Sequence, residues 1–258
     1  MSIEPVRELK FDQLAVAAYS DNATLGQAAA MAAAAVIREA VAARGIANII
    51  IATGNSQLTF LHSLRTLPGI DWPAVNVFHM DEYIALRPGH PAGFPLFLRQ
   101  HIIDHVPVGA FFPVPGHASD VELACRAYEY LLRAHPADLC CLGIGENGHV
   151  AFNDPPVADF NDPVWVKVVA LDEASRRQQT GEGHFPTLAD VPTHAITLTV
   201  PGLRAARRLL CIVPEKRKAR AVRNTLFGPI STRCPASILR QTPHCRLLLD
   251  LDSASEIL

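Results

Sequence analysis

The sequence predicts a doubly wound α/β/α sandwich around a mostly parallel sheet, and three observations carry that expectation. Six short apolar runs recur along the chain, amphipathic stretches separate them, and no linker, repeat or low-complexity tract divides the 258 residues. Runs that are apolar on both faces suit a sheet covered by helices on each side. Strands alternating with helices are joined in parallel by right-handed crossovers. A hydrophobic fraction of 49% is ample for one large core, so residues 1–258 are expected to form a single domain.

In chain order, Asn22-Ala23-Thr24-Leu25-Gly26 opens a long Ala-rich helix. Arg38, Glu39 and Arg44 interrupt its apolar stretch too early for a membrane span. The strand runs are Ala47–Ala52, Ala74–His79, Asp138–Gly143, Ala195–Thr199, Arg208–Val213 and Cys245–Leu249. Helices are expected over Ser56–Thr66, Phe94–His105, Asp120–Ala134 and Glu215–Leu226. Asp120 is placed to cap its helix with Glu122 in the first turn, and Gly228-Pro229 to stop the last. Residues 154–193 break the alternation. They are rich in Pro, Asp, Gly and Gln, and loops this long in a compact domain are usually lids or binding segments.

Composition narrows the function classes. With 23 basic and 25 acidic residues the net charge is −2, without the basic excess that a nucleic-acid or membrane-surface binder needs. The N-terminus lacks the basic-then-apolar layout of a signal peptide. Of six cysteines, Cys140, Cys141, Cys211 and Cys245 lie in strand runs, where Cys acts as a small hydrophobe. No CxxC pair exists, so reduced core cysteines in a cytoplasmic protein are expected. A homo-oligomer is compatible with this composition.

In open α/β sheets ligands bind at the carboxyl ends of strands, which singles out four segments. Thr53-Gly54-Asn55-Ser56 runs from a strand through a Gly turn into a helix, where free N–H groups and the helix dipole suit an anion. A plain strand–helix turn accounts for the same residues. At Asp81-Glu82 one carboxylate can enter a site while its neighbour makes structural contacts. A carboxylate over two adjacent sugar carbons can move a proton between them; a solvated acid pair is the alternative. In the segment from Gly143 to Pro156, glycines flank His149, and Asp154 lies where a turn could fix the imidazole's tautomer. Finally, Lys216, Arg217, Lys218 and Arg220 crowd the start of a helix, a conflict with the dipole that a bound anion would resolve. A solvated basic face is the bland alternative. His101 and His105 share a helix face, but no third metal ligand is nominated by spacing.

Together Ala52-Thr53-Gly54-Asn55-Ser56, Met80-Asp81-Glu82-Tyr83, the Gly143–Pro155 run and Lys218-Ala219 resemble the glucosamine-6-phosphate deaminase (isomerase) family, part of a wider group with the 6-phosphogluconolactonases. The resemblance spans about Asn48 to Leu249, and the third segment is the most specific. It implies a Rossmann-like three-layer α/β/α fold, chemistry without metal or organic cofactor, and a phosphosugar as the small-molecule partner. By the same resemblance Asp81 is the base working between C1 and C2, and His149 handles the ring-oxygen proton. Asp154 orients His149, and Asn147 joins this catalytic set. Thr53, Gly54, Asn55, Ser56 and Lys218 hold the phosphate. Glu82, Gly148 and Arg176 are further substrate-binding candidates, Arg176 as a substrate-facing cation. Two positions depart from the family pattern: Asp154 stands where Glu is usual, and Asn147 where some members have Asp. The expected activity is isomerisation and deamination of a hexosamine 6-phosphate. Lactone hydrolysis, isomerisation alone, or non-catalytic sugar-phosphate sensing are the rivals. A sensor would normally carry a DNA-binding segment, whereas the first 45 or so residues read as one Ala-rich helix.

Overall fold

The computed structural model describes residues 3–87 and 89–258. Its strands are β1 (Arg7–Phe11), β2 (Leu14–Tyr19), β3 (Ala47–Ile51), β4 (Val75–His79), β5 (Asp81–Tyr83) and β6 (Ala110–Phe112), followed by β7 (Leu139–Leu142), β8 (Val166–Ala170), β9 (His194–Leu198), β10 (Leu209–Val213) and β11 (Cys245–Asp250). The helices are α1 (Asn22–Arg44), α2 (Leu58–Thr66), α3 (Phe94–His101), α4 (Val121–Ala134), α5 (Glu173–Gly181), α6 (Val200–Arg204) and α7 (Ala219–Phe227).

Eight strands form the main sheet in the order β1-β2-β11-β10-β7-β3-β4-β6. Every neighbouring pair is parallel except β1 with β2. Successive strands β3, β4 and β6 step toward one edge. The chain then returns to lay β7 on the other side of β3 and proceeds through β10 and β11 toward the opposite edge. The order therefore reverses between β3 and β7, the position where such sheets open a crevice for ligands.

Both sheet faces are covered, as the continuous apolar runs require. Along β10, Leu209, Cys211 and Val213 enter one core cluster while Leu210 and Ile212 enter the other. Likewise Ile49 and Ile51 of β3 pack under α1 and α2, and Ile50 faces the opposite layer. α1 begins at Asp21, whose carboxylate accepts from the Thr24 N–H at 2.7 Å, and ends at Gly45 in the left-handed region (φ 75°). α1 is the one helix among the described residues long and apolar enough to cross a membrane, and half of its most apolar stretch is buried within the protein. Gly26 lets α1 pack closely on α2, since a Cβ there would lie 2.8 Å from the Thr59 backbone. Gly26→Val is accordingly expected to destabilise the fold by about 1–3 kcal/mol through overpacking, measured as a lower urea midpoint.

Three features differ from the sequence expectation. Residues 3–21 are not helical but contain the β1–β2 hairpin at the sheet edge. The charged, mostly exposed β1 (RELKF) and the Ala-rich β2 lack the apolar signature of the buried strands. The expected strand at Ala195–Thr199 exists as β9, yet it is the centre of a second, antiparallel sheet, β5-β9-β8. Its two faces are buried by different neighbours, so an apolar run alone could not say which sheet it joins. Residues 154–193 are not one loop: they contain β8, α5 and a 3₁₀ turn at Leu188–Asp190. The second sheet and α5 stand over the carboxyl ends of the parallel strands.

Candidate active site

Four strand ends converge on one pocket at the sheet reversal. It is lined by Thr53, Gly54, Asn55 and Ser56 after β3, Asp81 after β4, Gly143 to Gly145 and His149 after β7, and Lys218 after β10. Phe94, Phe97 and Phe152 form its apolar wall, and Gln178, Gln179, Glu182 and His184 line it from α5 and the turn beyond.

The loop after β3 is shaped by Gly54, whose φ of 101° and ψ of 162° are essentially confined to glycine. A 3₁₀ turn at Asn55–Gln57 then leads directly into α2. Gln57 is fully buried and its Nε2 donates to Ile212 O at 3.2 Å, fastening this loop to the neighbouring strand β10. The result is a polar cradle with free N–H groups at a helix start, fit for a phosphate.

Across the cradle stands Lys218, only 3% exposed and without an ion pair among the described residues. Burial, with Arg217 beside it, pushes its ammonium pKa down. An anion in the cradle would supply the missing countercharge. Preceding it, Glu215 adopts φ 83°, a strained conformation for a non-glycine residue, held by its N–H donating to both Asp250 carboxylate oxygens at 3.0 and 3.2 Å. Arg217 is occupied elsewhere: it pairs with Glu215 (2.5 Å), Glu182 (2.5 Å) and Glu146 (3.2 Å). Burial alone would raise the Glu182 pKa, but His184, Arg217 and Gln178 hold it at about 2.

Asp81 sits where the chain leaves the main sheet and enters the second, pairing with Thr197 of β9. It is buried, and burial pushes its pKa up to about 7. Behind it lies His79, fully enclosed, with its Nε2 3.8 Å from Asp81 Oδ1 and neither ring nitrogen hydrogen-bonded. Burial lowers the His79 pKa to about 3, so the imidazole is neutral. Asp81 thus lines the pocket in an environment that gives a carboxylate the basicity suited to proton transfer near neutral pH.

The run after β7 is folded around His149. Gly145 N donates to His149 O and Gly148 N to Gly145 O, both at 2.9 Å. A side chain at position 145 would collide with the imidazole, which lies directly over that glycine. Asn153 pins the far end of the turn by donating to Val150 O and Leu198 O. Behind the ring, His149 Nδ1 is 3.0 Å from Asp154 Oδ1. Asn147 Nδ2 donates to the same carboxylate oxygen at 2.9 Å, while its Oδ1 accepts from His149 N at 3.0 Å. Burial would raise the Asp154 pKa, but hydrogen bonds and the charge of His149, with Asn147 and Ser175, bring it down to about 2. An ionised Asp154 keeps the proton on Nδ1, leaving Nε2 to accept or return one in the pocket.

Several sequence candidates lie elsewhere. Arg176 does not face the pocket: its guanidinium donates to Leu188 O (2.7 Å) and Val191 O (2.9 Å), bracing the turn beyond α5. Glu82 is turned inward, accepting from the N–H groups of Tyr83 (2.7 Å) and Phe94 (3.1 Å), and burial raises its pKa to about 8. Gly148 packs against Cys234 at φ 86° instead of lining the pocket. Asn147 and Asp154 stand behind His149 and contact it instead of lining the pocket. Sequence reasoning missed Gln178, Gln179, Glu182 and His184 as lining residues, although their polar run was visible. It also missed Ser175, whose neighbour Arg176 carried the more conspicuous charge.

Comparison with known proteins agrees with this geometry. The family model for glucosamine-6-phosphate isomerases/6-phosphogluconolactonase matches residues 20–247. A glucosamine-6-phosphate deaminase of Bacillus cereus (strain B4264) is 34% identical over 220 residues, covering 85% of this chain and 82% of the relative. Among solved structures, a monomeric glucosamine-6-phosphate deaminase of the NagB superfamily superposes with a TM-score of 0.86 at 29% identity, over 93% of this chain and 99% of that one. A 6-phosphogluconolactonase from Shewanella baltica OS155 shares the fold, with a TM-score of 0.77 at 18% identity over 94% and 100% of the two chains. With its strand-end motifs gathered on one pocket at the sheet reversal, the chain belongs to the glucosamine-6-phosphate isomerase/6-phosphogluconolactonase family.

Proposed function

We propose that the protein converts a hexosamine 6-phosphate to the ketose 6-phosphate with release of ammonia, and that it works in the cytosol, where its six free cysteines stay reduced. The observation that carries this reading is the joint exposure of Asp81, His149, the Thr53–Ser56 cradle and Lys218 to one pocket. The cradle and Lys218 hold the phosphate. His149 Nε2 shuttles the proton that ring opening moves between the anomeric hydroxyl and the ring oxygen. Asp81 then removes the C2 proton of the open-chain aldehyde while its carbonyl oxygen takes up a proton, giving the enolamine. A proton delivered to C1 leaves an iminium at C2, whose extra proton is released when water adds. Water adds to that carbon, and ammonia departs as the C2 carbonyl forms. No net oxidation occurs, and one water is consumed per ammonia released. The 34% identity to a glucosamine-6-phosphate deaminase supports the same reading. The residues of 173–184 that reach the pocket act as its lid.

Purified protein supplied with glucosamine 6-phosphate should release ammonia and ketose 6-phosphate in equal amounts. Ketose without ammonia would make it an isomerase, and hydrolysis of 6-phosphogluconolactone with neither product would make it a lactonase. Lys218→Met is expected to raise KM by about 10–100-fold, the value of a charge-assisted hydrogen bond to phosphate, with a smaller effect on kcat. Steady-state kinetics separate the two.

A further inference from the structure

α5 presents one polar stripe to the site. Ser175, Gln178, Gln179 and Glu182 are spaced i, i+3, i+4 and i+7, which places them on a single helix face. The last three line the pocket, whereas Ser175 is 2% exposed and lies behind the His149 ring. Its Oγ is 3.0 Å from His149 Nδ1 and 2.5 Å from Asp154 Oδ1. The hydroxyl has a single proton. Since Asp154 is a carboxylate with only acceptor atoms, that proton goes to Asp154, and the Ser175 lone pair faces Nδ1–H. Asp154 Oδ2 in turn accepts from Asp172 N at 3.3 Å, at the same end of α5.

We propose that Ser175 is a positioning residue for His149: a hydroxyl carried by α5 that completes the hydrogen-bonded set around Nδ1 and fixes the tautomer whose Nε2 is free to accept a proton. Asp154 is held there by donors from two separate elements, Asn147 on the β7 loop and Ser175 on α5. Both are needed because a short Asp side chain has little freedom to follow the imidazole. Removing Ser175 leaves Asp154 Oδ1 one donor short and leaves Nδ1–H with the carboxylate as its only close acceptor. The His149 ring and its tautomer are then held less firmly, by a carboxylate that has itself lost one of its restraints. Other charged groups near this end of α5 do not substitute: Glu173 pairs with Arg177 on the exposed side, and Arg176 is held by Leu188 and Val191 carbonyls. α5 is thereby part of the proton-transfer apparatus as well as a wall of the pocket, and its docking sets the state of His149.

The inference rests on His149 being the proton-transfer residue of the proposed reaction, but its primary test needs no substrate. ¹⁵N-edited NMR of the histidine ring nitrogens in the full-length protein should show His149 as a single tautomer protonated at Nδ1. In Ser175→Ala it should show averaged ring shifts or a mixture of tautomers, and Ser175→Thr, which keeps the hydroxyl, should restore the wild-type pattern. On the hexosamine 6-phosphate, Ser175→Ala should lower kcat about 10–100-fold with KM within about threefold of wild type. Its effect should be strongly non-additive with Asp154→Asn, and Ser175→Thr should regain most of the loss. An unchanged tautomer signature in a folded Ser175→Ala protein would overturn the proposal even if the deaminase activity were established. If Ser175→Ala does not fold, Ser175→Cys keeps the volume with a far weaker donor, and a wild-type signature in that variant overturns it equally. Loss of activity in every variant with the wild-type tautomer pattern intact would assign Ser175 to packing alone.

Discussion

Asp81→Asn is expected to lower turnover by about 10²–10⁴-fold, the range for removing a general base, while sugar-phosphate binding changes little. The amide keeps the shape of the carboxyl but cannot take a proton from carbon. The same substitution should make the protein more stable at alkaline pH. Burial holds Asp81 near a pKa of about 7, against an ordinary value of 3.8. Below pH 3.8 the carboxyl is protonated in folded and unfolded chains alike, and no penalty exists. As pH rises from there to about 7 the unfolded chain ionises while the folded one resists, so stability falls through that window and the penalty is complete above it. Asn carries no such penalty. The gain in Asp81→Asn over wild type should therefore be negligible at pH 4 and reach on the order of 2–4 kcal/mol at pH 8, measured by urea unfolding at the two pH values. Glu82, raised to about 8 for the same reason, carries its own penalty in both proteins and largely cancels from the comparison. The wild-type kcat/KM should show an acid limb near pH 7, where the base loses its ionised form.

His149→Gln should cost a similar factor in turnover, about 10²–10⁴, but with the opposite effect on stability. Asp154 is held at about 2 largely by His149 and the hydrogen bonds around it, although burial opposes this. A depressed carboxylate pKa stabilises the fold above the ordinary value of 3.8, and the contribution is lost as pH falls through about 2. Removing the imidazole forfeits much of that contribution, on the order of 1–2 kcal/mol at pH 7, and leaves a buried charge short of a partner. A lower urea midpoint at pH 7, with the difference shrinking toward pH 2, is the expected result. The two proposed catalytic groups thus differ in their burden on the fold. The folded environment of Asp81 disfavours its charge, whereas that of His149 supplies an ionised partner in Asp154.

The parts of this site that were legible in the sequence share a physical property: their function depends on local backbone. Gly54 at φ 101°, Gly145 under the imidazole, and Lys218 in the short turn that follows buried strand β10 are set by a few contiguous residues. The doubly wound sandwich that brings them together followed from the alternation of apolar runs with helices, whereas the position of the sheet reversal did not. What was not legible depends on side-chain direction and on partners remote in sequence. Arg176 and Ser175 are neighbours on α5, and a helical turn of about 100° separates a brace for the 188–191 turn from a contact with His149. Asp81 and Glu82 are likewise adjacent, one toward the pocket and one toward the N–H of Phe94, and only the tertiary fold says which is which. The destination of β9 was open for the same reason. Its apolar run is equally suited to either sheet, and it pairs with the Asp81–Tyr83 strand from which Asp81 lines the pocket.

The most direct measurement of the proposed arrangement is a crystal structure with an open-chain aminoalditol 6-phosphate, a stable mimic of the opened sugar. The phosphate should lie in the Thr53–Ser56 cradle with Lys218, C1 and C2 should sit within reach of the Asp81 carboxylate, and the oxygen derived from the ring should approach His149 Nε2. A phosphate bound away from Lys218, or a sugar chain running in the reverse direction so that Asp81 meets C5 or C6, would contradict it.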